Sequence, residues 1–186
     1  MTEMPMRADA RRNRAQILTA AEQAFAEEGV SVPLDEIARR AGVGAGTIYR
    51  HFPTKDALFD AVLQSRIDNL VGDAHALGDT ADPGEAFFRL MFRMIDYGIA
   101  KKDLVDALSS SGRAGTTTAV GKARLRKAGG ALLRQAQVAG AIRDDATISD
   151  VLAIVSGIVL AAHQAGGDRR LGKRMFDLMC DGLRPR

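Results

Sequence analysis

The chain has 186 residues, of which 46% are hydrophobic, 26 are basic and 23 are acidic, giving a formal net charge of +3. That hydrophobic content excludes general disorder, and no apolar run approaches the roughly 18 residues that a membrane-spanning helix needs. A single cysteine, Cys180, excludes an intrachain disulfide and indicates a reducing, cytoplasmic location. Residues 1–10 are charged and lack the apolar segment of a secretory signal.

The first predicted element is a helix over about residues 10–28, ended by Gly29. Its apolar side chains recur at the spacing of one helix face: Ile17, Leu18, Ala21, Ala24 and Phe25. Residues 1–10 are predicted to form a mobile tail. The basic residues of this arm either lie along a nucleic acid or are only solvated.

Residues 34–55 carry the pattern around which the chain is organised. A first short helix presents four apolar residues on one face, namely Leu34, Ile37, Ala38 and Ala41. Gly42 follows where a helix needs a left-handed C-cap, and a second helix repeats apolar residues four apart at Ile48 and Phe52. The small Ala38 leaves room for the second helix to cross close to the first. These offsets predict a helix-turn-helix.

The outer side of the second helix predicts nucleic-acid binding. It offers a hydroxyl, a phenol, a guanidinium and an imidazole, with a lysine just beyond: Thr47, Tyr49, Arg50, His51 and Lys55. Such groups suit phosphates and base edges. Basic and acidic residues cancel over residues 1–57, so the argument depends on where the charges lie. The basic residues expected near this surface are Arg11, Arg12, Arg14, Arg50 and Lys55, while Arg39 and Arg40 either reach phosphates or are solvated.

A long fourth helix is predicted from its N-cap, Thr54, to about Ala76, and it links two parts of the chain. Its buried stripe is expected to contain Leu58, Phe59, Val62, Leu63 or Ile67, and Leu70. Residues 77–84 are the most loop-like stretch. We therefore expect an all-α fold, with a three-helix helix-turn-helix domain over residues 1–57 and a helical ligand-binding and dimerisation domain over residues 58–186.

The fifth predicted helix, about residues 85–100, is apolar on more than one face, which is typical of a buried helix. Either it is only the hydrophobic centre of a bundle, or a ligand cavity lies within that centre. The predicted cavity walls are Phe87, Phe88, Met91, Met94, Tyr97 and Leu108, with His163. They include no clearly charged group, so the ligand is expected to be largely apolar. The alternative role of Tyr97 and His163 is that of ordinary core residues.

Further helices are predicted in the C-terminal half. A short one over residues 103–109 is followed by a basic helix over 117–139, which we interpret as a solvated face because it lacks interleaved aromatic residues. A helix over 148–165 begins after Thr147, with Asp144 and Asp145 placed for its dipole, and another helix over 170–183 comes last. Their apolar surface exceeds what one core needs, which predicts a homodimer through these two helices.

Patterns of catalytic or metal-binding chemistry are missing from the sequence. It has no phosphate-binding glycine loop, no H-E-x-x-H and no C-x-x-C, and His51, His75 and His163 are far apart. We therefore expect no metal, no cofactor and no enzymatic activity.

Residues 43–55, Val-Gly-Ala-Gly-Thr-Ile-Tyr-Arg-His-Phe-Pro-Thr-Lys, resemble the signature of the tetracycline-repressor-like (TetR) transcriptional regulators, and the resemblance extends over about residues 10–65. It implies phosphate contacts by Thr47, Tyr49, His51 and Lys55, and base contacts by Ala45, Gly46 and Arg50. Some members carry a polar residue at the Ala45 position, so base reading here should depend more on Arg50. In that family the last two helices form a four-helix dimer bundle, in agreement with the apolar surplus.

The sequence thus predicts a dimeric DNA-binding transcriptional regulator of near-palindromic operators. The resemblance implies a repressor, and the predicted cavity walls imply that a small, largely apolar effector releases it. One rival is a DNA-binding dimer without a small-molecule effector, controlled by a protein partner or by its own abundance. Another is an enzyme or a helical interaction module that has acquired a helix-turn-helix.

Overall fold

Apolar residues at helical spacing fold into α-helices along the described part of the chain. The computed structural model describes residues 4–29, 31–79, 82–100 and 116–185, with side chains described from residue 9 and, in the last range, from residue 119. These residues form eight α-helices and no strand: α1 (Met4–Glu28), α2 (Leu34–Ala41), α3 (Ala45–His51), α4 (Lys55–Gly78), α5 (Pro83–Ala100), α6 (Thr116–Val138), α7 (Ile148–Gln164) and α8 (Arg169–Leu183). The predicted all-α fold class is confirmed. None of these helices is long and apolar enough to cross a membrane.

The described residues fall into two compact units. One contains the residues up to Arg66 together with residues 116–118, and the other contains the remainder. Helix α4 begins in the first unit and ends in the second. The predicted domain boundary after residue 57 also lies within α4, and it stays a prediction. The predicted short helix over residues 103–109 lies outside the described residues.

In the first unit, α1, α2 and α3 share one apolar core with the start of α4. Helix α1 contacts both α2 and α3, and its predicted apolar face is buried: Ile17, Leu18, Ala21, Ala24 and Phe25. The rings of Phe25 and Phe59 lie 5.9 Å apart between centroids. Thr54 caps α4 as predicted, since its hydroxyl accepts a hydrogen bond of 3.1 Å from the backbone N–H of Ala57. The helix-turn-helix is therefore held on a packed scaffold.

Helix α1 begins at Met4, so the prediction of a mobile tail over residues 1–10 is wrong for residues 4–10. The arm is rich in strong helix formers and has no glycine, and its proline falls in the first helical turn, where the missing N–H is harmless. The buried part of α1 therefore propagates the helix towards the N-terminus. Residues 9–16 are exposed or half-exposed and form an overhang beyond the first buried residue, Ile17.

In the second unit, α5 is the central helix and contacts α7 and α8, which also contact each other. Glycines allow close approaches: a Cβ added to Gly98 would lie 2.7 Å from Cγ2 of Val159, and one added to Gly172 would lie 2.3 Å from Cδ1 of Ile99. Helix α5 starts two residues earlier than predicted. The carboxylate of Asp82 accepts a hydrogen bond of 2.9 Å from the N–H of Glu85 and so caps the helix.

The N-terminus of α7 differs in detail from the prediction. Thr147 and Asp150 form a reciprocal capping box, and the hydrogen bond from Thr147 lowers the pKa of Asp150. Asp145 instead binds the guanidinium of Arg143 through both carboxylate oxygens. The carboxylate that stabilises this helix end is therefore Asp150 rather than Asp144 or Asp145.

Candidate nucleic-acid interface

The turn between α2 and α3 is built by glycine, as the sequence predicts. Gly42 adopts a left-handed conformation, with φ 68° and ψ 27°. Its N–H donates to the carbonyl of Arg39 at 3.2 Å, and the N–H of Val43 donates to the carbonyl of Ala38 at 3.0 Å. This pair of bonds is a Schellman motif, which satisfies the last carbonyls of α2 and turns the chain into α3.

Helix α3 presents one buried face and one open face. Ile48 and the following Phe52 are buried in the core of the first unit. The predicted contact residues of α3 are exposed or half-exposed on the other side, and Lys55 follows as the first residue of α4: Ala45, Gly46, Thr47, Tyr49, Arg50, His51 and Lys55. The structure therefore leaves all of the predicted DNA-contact residues partly or fully exposed, along α3 and at the start of α4.

The Arg50 guanidinium lies back along α3. Its Nε donates to the carbonyl of Gly46 at 3.0 Å, and one Nη donates to the hydroxyl of Thr47 at 3.3 Å. An added Cβ at Gly46 would meet nothing within 4 Å, so the surface beside the guanidinium is open. Arginine has more donors than these two bonds use, which leaves N–H groups for a further acceptor.

Two other predicted contact residues interact with their surroundings: Lys55 with a backbone carbonyl, and Tyr49 with an acidic side chain. The ammonium of Lys55 donates to the carbonyl of Ser31 at 2.7 Å, so the lysine is anchored beside the turn that precedes α2. The pKa of Tyr49 is raised, chiefly by the negative charge of Asp35. The carboxylate disfavours the phenolate form, and the phenol can act as a hydrogen-bond donor.

The two arginines in the last turn of α2 both pair with glutamates. Arg39 binds both carboxylate oxygens of Glu36 at 2.8 Å, and Arg40 binds Glu36, Glu27 and Glu28. These hydrogen bonds lower the pKa of Glu36 to about 2. Arg40, whose side chain is 25% exposed, ties α2 to the end of α1, which opposes a phosphate contact by this residue. The side chain of Arg39 is 74% exposed, so a phosphate contact by Arg39 stays a prediction.

The N-terminal arginines differ from one another. Arg12 pairs with Asp9 on the same helix. The guanidinium carbon of Arg14 instead lies over the ring of Phe52, 5.5 Å from its centroid, which is a cation–π contact at the C-terminal end of α3. Sequence reasoning placed Arg14 near this surface but did not foresee the stacking, since no local pattern links residues 38 positions apart.

Comparison with known families identifies the family of proteins that carries this surface. A sequence model described as "Bacterial regulatory proteins, tetR family" matches residues 17–62, and one described as "Transcriptional regulator SbtR-like, C-terminal domain" matches residues 82–185, more than half of the chain. The chain belongs to the TetR family. It is a DNA-binding transcriptional regulator with the helix-turn-helix fold predicted from the sequence, and its relatives are regulators rather than enzymes.

Individual relatives agree with this assignment. The crystal structure of a TetR transcription regulatory protein from Mycobacterium vanbaalenii is 41% identical with a TM-score of 0.79, covering 97% of this chain and 100% of that one. The TetR regulator SCO0520 from Streptomyces coelicolor is 37% identical with a TM-score of 0.79, covering 92% and 98%. The activator FasR of Mycolicibacterium smegmatis is 46% identical over 71 residues, which are 37% of this chain and 32% of FasR. The chain thus matches about a third of that curated relative.

The predicted effector site of this TetR-family protein lies in the second unit. Phe87 and Met91 are fully buried in its core, Met94 packs against that core while half-buried, and Tyr97 is also half-buried. Phe88 packs against the core and also lines an open surface groove, while Leu108 lies outside the described residues.

His163 is a buried histidine with a protein partner. Its Nε2 lies 2.9 Å from the carbonyl of Gly98 near the end of α5, so this nitrogen is the donor. Cys180 is also buried, and burial raises the pKa of its thiol to about 11. Among the residues that the structure describes, no three His, Cys, Asp or Glu side chains are grouped to hold a metal ion.

Proposed function

We propose that this TetR-family regulator is a cytoplasmic homodimeric repressor, which binds a near-palindromic operator and leaves it when a small, largely apolar effector binds. The observation that carries the proposal is that the chain has both an open recognition face on α3 and uncovered apolar faces on α7 and α8. Two heads joined through such faces would suit half-sites about 34–36 Å apart, or a multiple of this distance.

The uncovered faces support the homodimer. On α7, Ile154 and Leu160 are 44% and 58% exposed, and on α8 Leu178 is 72% exposed. A Cβ added to Gly157, on the same side of α7, would meet nothing within 4 Å. Large apolar side chains and a small residue on adjacent helices form a surface that a second copy would cover favourably.

The open face of α3 supports separate contact roles. We assign phosphate contacts to Thr47, Tyr49, His51 and Lys55, and base contacts to Ala45, Gly46 and Arg50. A guanidinium can bind guanine through two parallel hydrogen bonds, so Arg50 is the residue expected to carry most sequence discrimination. To bind a base in this way, Arg50 must give up its hydrogen bonds to the Gly46 carbonyl and the Thr47 hydroxyl. These acceptors are neutral, so the bonds are readily exchanged.

The packing of α4 supports effector control. Leu70, Val71, Ala74 and Leu77 of α4 belong to the same core cluster as Phe87 and Met91. Ion pairs reinforce this packing, because Asp73 binds Arg93 at 2.6 Å and Asp68 binds Arg124 at 2.6 Å. A ligand that displaces the core around α5 would therefore displace α4, whose first residue is Lys55 at the predicted DNA surface.

The direction of regulation needs its own test, because FasR is named an activator. A reporter driven by the operator region should rise when this gene is deleted if the protein is a repressor, and should fall if it is an activator. The operator itself is obtained by selecting duplexes from a random pool with the purified protein. A protein that selects no sequence would contradict the proposed operator recognition.

Effector control is tested on the purified dimer. Thermal stabilisation that saturates with one class of apolar compound, together with loss of operator binding, is the expected result. The absence of both effects across such compounds would favour the rival regulator without a small-molecule effector.

A further inference from the structure

The overhang of α1 continues the core-facing stripe of that helix beyond the core. Arg14 lies three residues before Ile17 and four before Leu18, so it occupies the same helix face one turn earlier. Arg11 precedes Arg14 by three residues and belongs to the same stripe. The buried part of this face is apolar and packs on α2 and α3. On the overhang, the same face carries guanidinium groups instead of apolar side chains.

Arg14 stacks on an aromatic ring and pairs with no carboxylate among the described residues. Its guanidinium lies over Phe52, which is buried and follows the last residue of α3. Within the described residues, Arg12, Arg39 and Arg40 all pair with acidic side chains, whereas no carboxylate pairs with Arg14 or Arg11. A guanidinium stacked through its face keeps its planar fork of N–H donors at the edge, available for an anion.

Arg14 lies close to His51, which is a predicted phosphate contact. The rings of His51 and Phe52 lie 6.1 Å apart between centroids, so Arg14 and His51 are within about 12 Å of each other. Each strand of duplex DNA carries one phosphate per about 3.4 Å of the helix axis, so a backbone that reaches His51 also has phosphates within reach of Arg14.

From these observations we propose that the overhang of α1 is a second DNA-contacting surface, in which Arg14 binds a backbone phosphate beside the end of α3 and Arg11 extends the contact. The proposal rests on the DNA-binding orientation of α3 given above. In it, Phe52 is a positioning residue, because it holds the guanidinium at the edge of the recognition helix.

The test uses the full-length protein and a labelled mixed-sequence duplex of about three helical turns. Fluorescence anisotropy gives the dissociation constant over a series of KCl concentrations. Arg14→Met keeps a long side chain that can pack on Phe52 but removes the charge. Arg14→Lys keeps the charge, and Arg12→Met removes a neighbouring charge that is already paired with Asp9.

Arg14→Met should reduce the slope of log K against log[KCl] by about 0.9 for each head on the DNA, which corresponds to one lost phosphate contact. Arg12→Met and Arg14→Lys should keep the wild-type slope. An unchanged slope for Arg14→Met, or an equal fall for Arg12→Met, would overturn the proposal. If the wild-type protein itself shows no salt-dependent binding, the proposed function fails as well. Far-UV circular dichroism checks folding, and Arg14→Gln is the second neutral variant should Arg14→Met not fold.

Discussion

At the scale of single residues, the arginines of the DNA-binding head differ in their partners rather than in their charge. Arg39 and Arg40 form ion pairs with glutamates, whereas Arg50 donates hydrogen bonds to a carbonyl and a hydroxyl of its own helix. Exchanging a neutral acceptor for a base edge costs less than separating an arginine from a carboxylate. Arg50 is therefore the arginine of the turn motif best able to move onto DNA.

Removing Arg50 and removing Lys55 should have different consequences. Arg50→Ala should weaken the selected operator by about 1–3 kcal/mol and relax the preference at one base position, because a bidentate base contact is lost. Lys55→Ala should weaken all duplexes alike and flatten the salt dependence, because a phosphate contact is lost. Binding titrations with the selected operator and with a random duplex measure both effects.

The hydrogen bond from Lys55 to Ser31 requires a control for that comparison. Thermal unfolding of Lys55→Ala shows whether the turn before α2 has been disturbed, and Lys55→Arg keeps the charge. If Arg50→Ala weakens operator and random duplexes by the same factor, the base-reading assignment of Arg50 is wrong.

Glu36 should make the stability of the head depend on pH in the acidic range. The guanidinium groups of Arg39 and Arg40 lower its pKa from 4.5 to about 2. Because the folded-state pKa is the lower one, this stabilisation is fully present above about pH 4.5 and is lost as the pH falls towards 2. Glu36→Gln should therefore lower the urea midpoint at neutral pH, and the difference from wild type should shrink below pH 4.5. A constant difference would contradict the ion-pair explanation.

At the scale of helices, glycines set how closely α5 approaches its neighbours. Gly98→Ala would bring a Cβ to 2.7 and 3.0 Å from the two γ-methyl carbons of Val159, a stiff β-branched side chain. Overpacking of this kind costs about 1–3 kcal/mol. The variant should therefore lower the free energy of unfolding by about this amount, measured with urea.

Gly72→Ala is the matched control within α4. Gly72 is exposed, and an added Cβ there would meet nothing within 4 Å. This substitution should stabilise the protein by about 0.5–1 kcal/mol, because alanine has the better helix propensity. Equal effects of the two substitutions would mean that helix propensity, and not the crossing with α7, decides the outcome at Gly98.

The helices and the turn could be predicted because their signals are local. Gly42 enters the left-handed conformation that its position after α2 implied, and the apolar stripe of α1 is buried as predicted. The start of α1 does not follow from the sequence pattern, because helix propensity without burial leaves no apolar period. The start of α5 differs from the prediction because Asp82 and Pro83 are typical of loops, although an acidic cap before proline also begins a helix.

The sequence predicts which residues form the candidate DNA surface, but not which other side chains they contact. The residues of α3 follow from one buried aliphatic, Ile48, which fixes the face that remains outside. The glutamate partners of Arg40 come from α1 and α2 together, and the Arg14–Phe52 stacking joins residues from separate helices. Such contacts depend on tertiary packing, which helical periodicity in the sequence does not contain.

At the scale of the whole molecule, the exposed face of α8 offers a direct test of the dimer. Leu178→Arg should leave the protomer folded, because this side chain packs on little within it, but would bury an unpaired charge in the proposed interface. The expected result is a monomer by light scattering. Met175→Arg is less informative, since Met175 packs against the core.

A substitution elsewhere on the second unit provides the dimer control. Val138, the last residue of α6, is exposed and lines a groove with Gly78 and Pro83 rather than with residues of α7 or α8, so Val138→Arg should leave the dimer intact. Circular dichroism establishes that both variants are folded. If Leu178→Arg and Leu160→Arg both remain dimeric, the interface does not use these faces.

The proposed effector response is best tested by substitutions in α5, whose buried and half-buried positions differ in what they can accept. Filling the proposed cavity at Met91 would overpack a fully buried site at a cost of about 1–3 kcal/mol, so loss of response there would be ambiguous. Met94 is half-buried against the same core, so a larger side chain there would be only partly enclosed. Met94→Trp is therefore the more selective variant.

An apolar effector should lower the operator affinity of the wild type by about 5–150-fold, the range given by a coupling of about 1–3 kcal/mol. Met94→Trp should abolish this response and keep DNA binding, because the indole would occupy the space proposed for the ligand. Phe92→Trp, on the exposed side of α5, is the control that should respond like the wild type. Titrating apolar compounds against the protein–operator complex measures all three proteins. A response that survives unchanged in Met94→Trp would place the effector elsewhere and remove the α5 core from the switch.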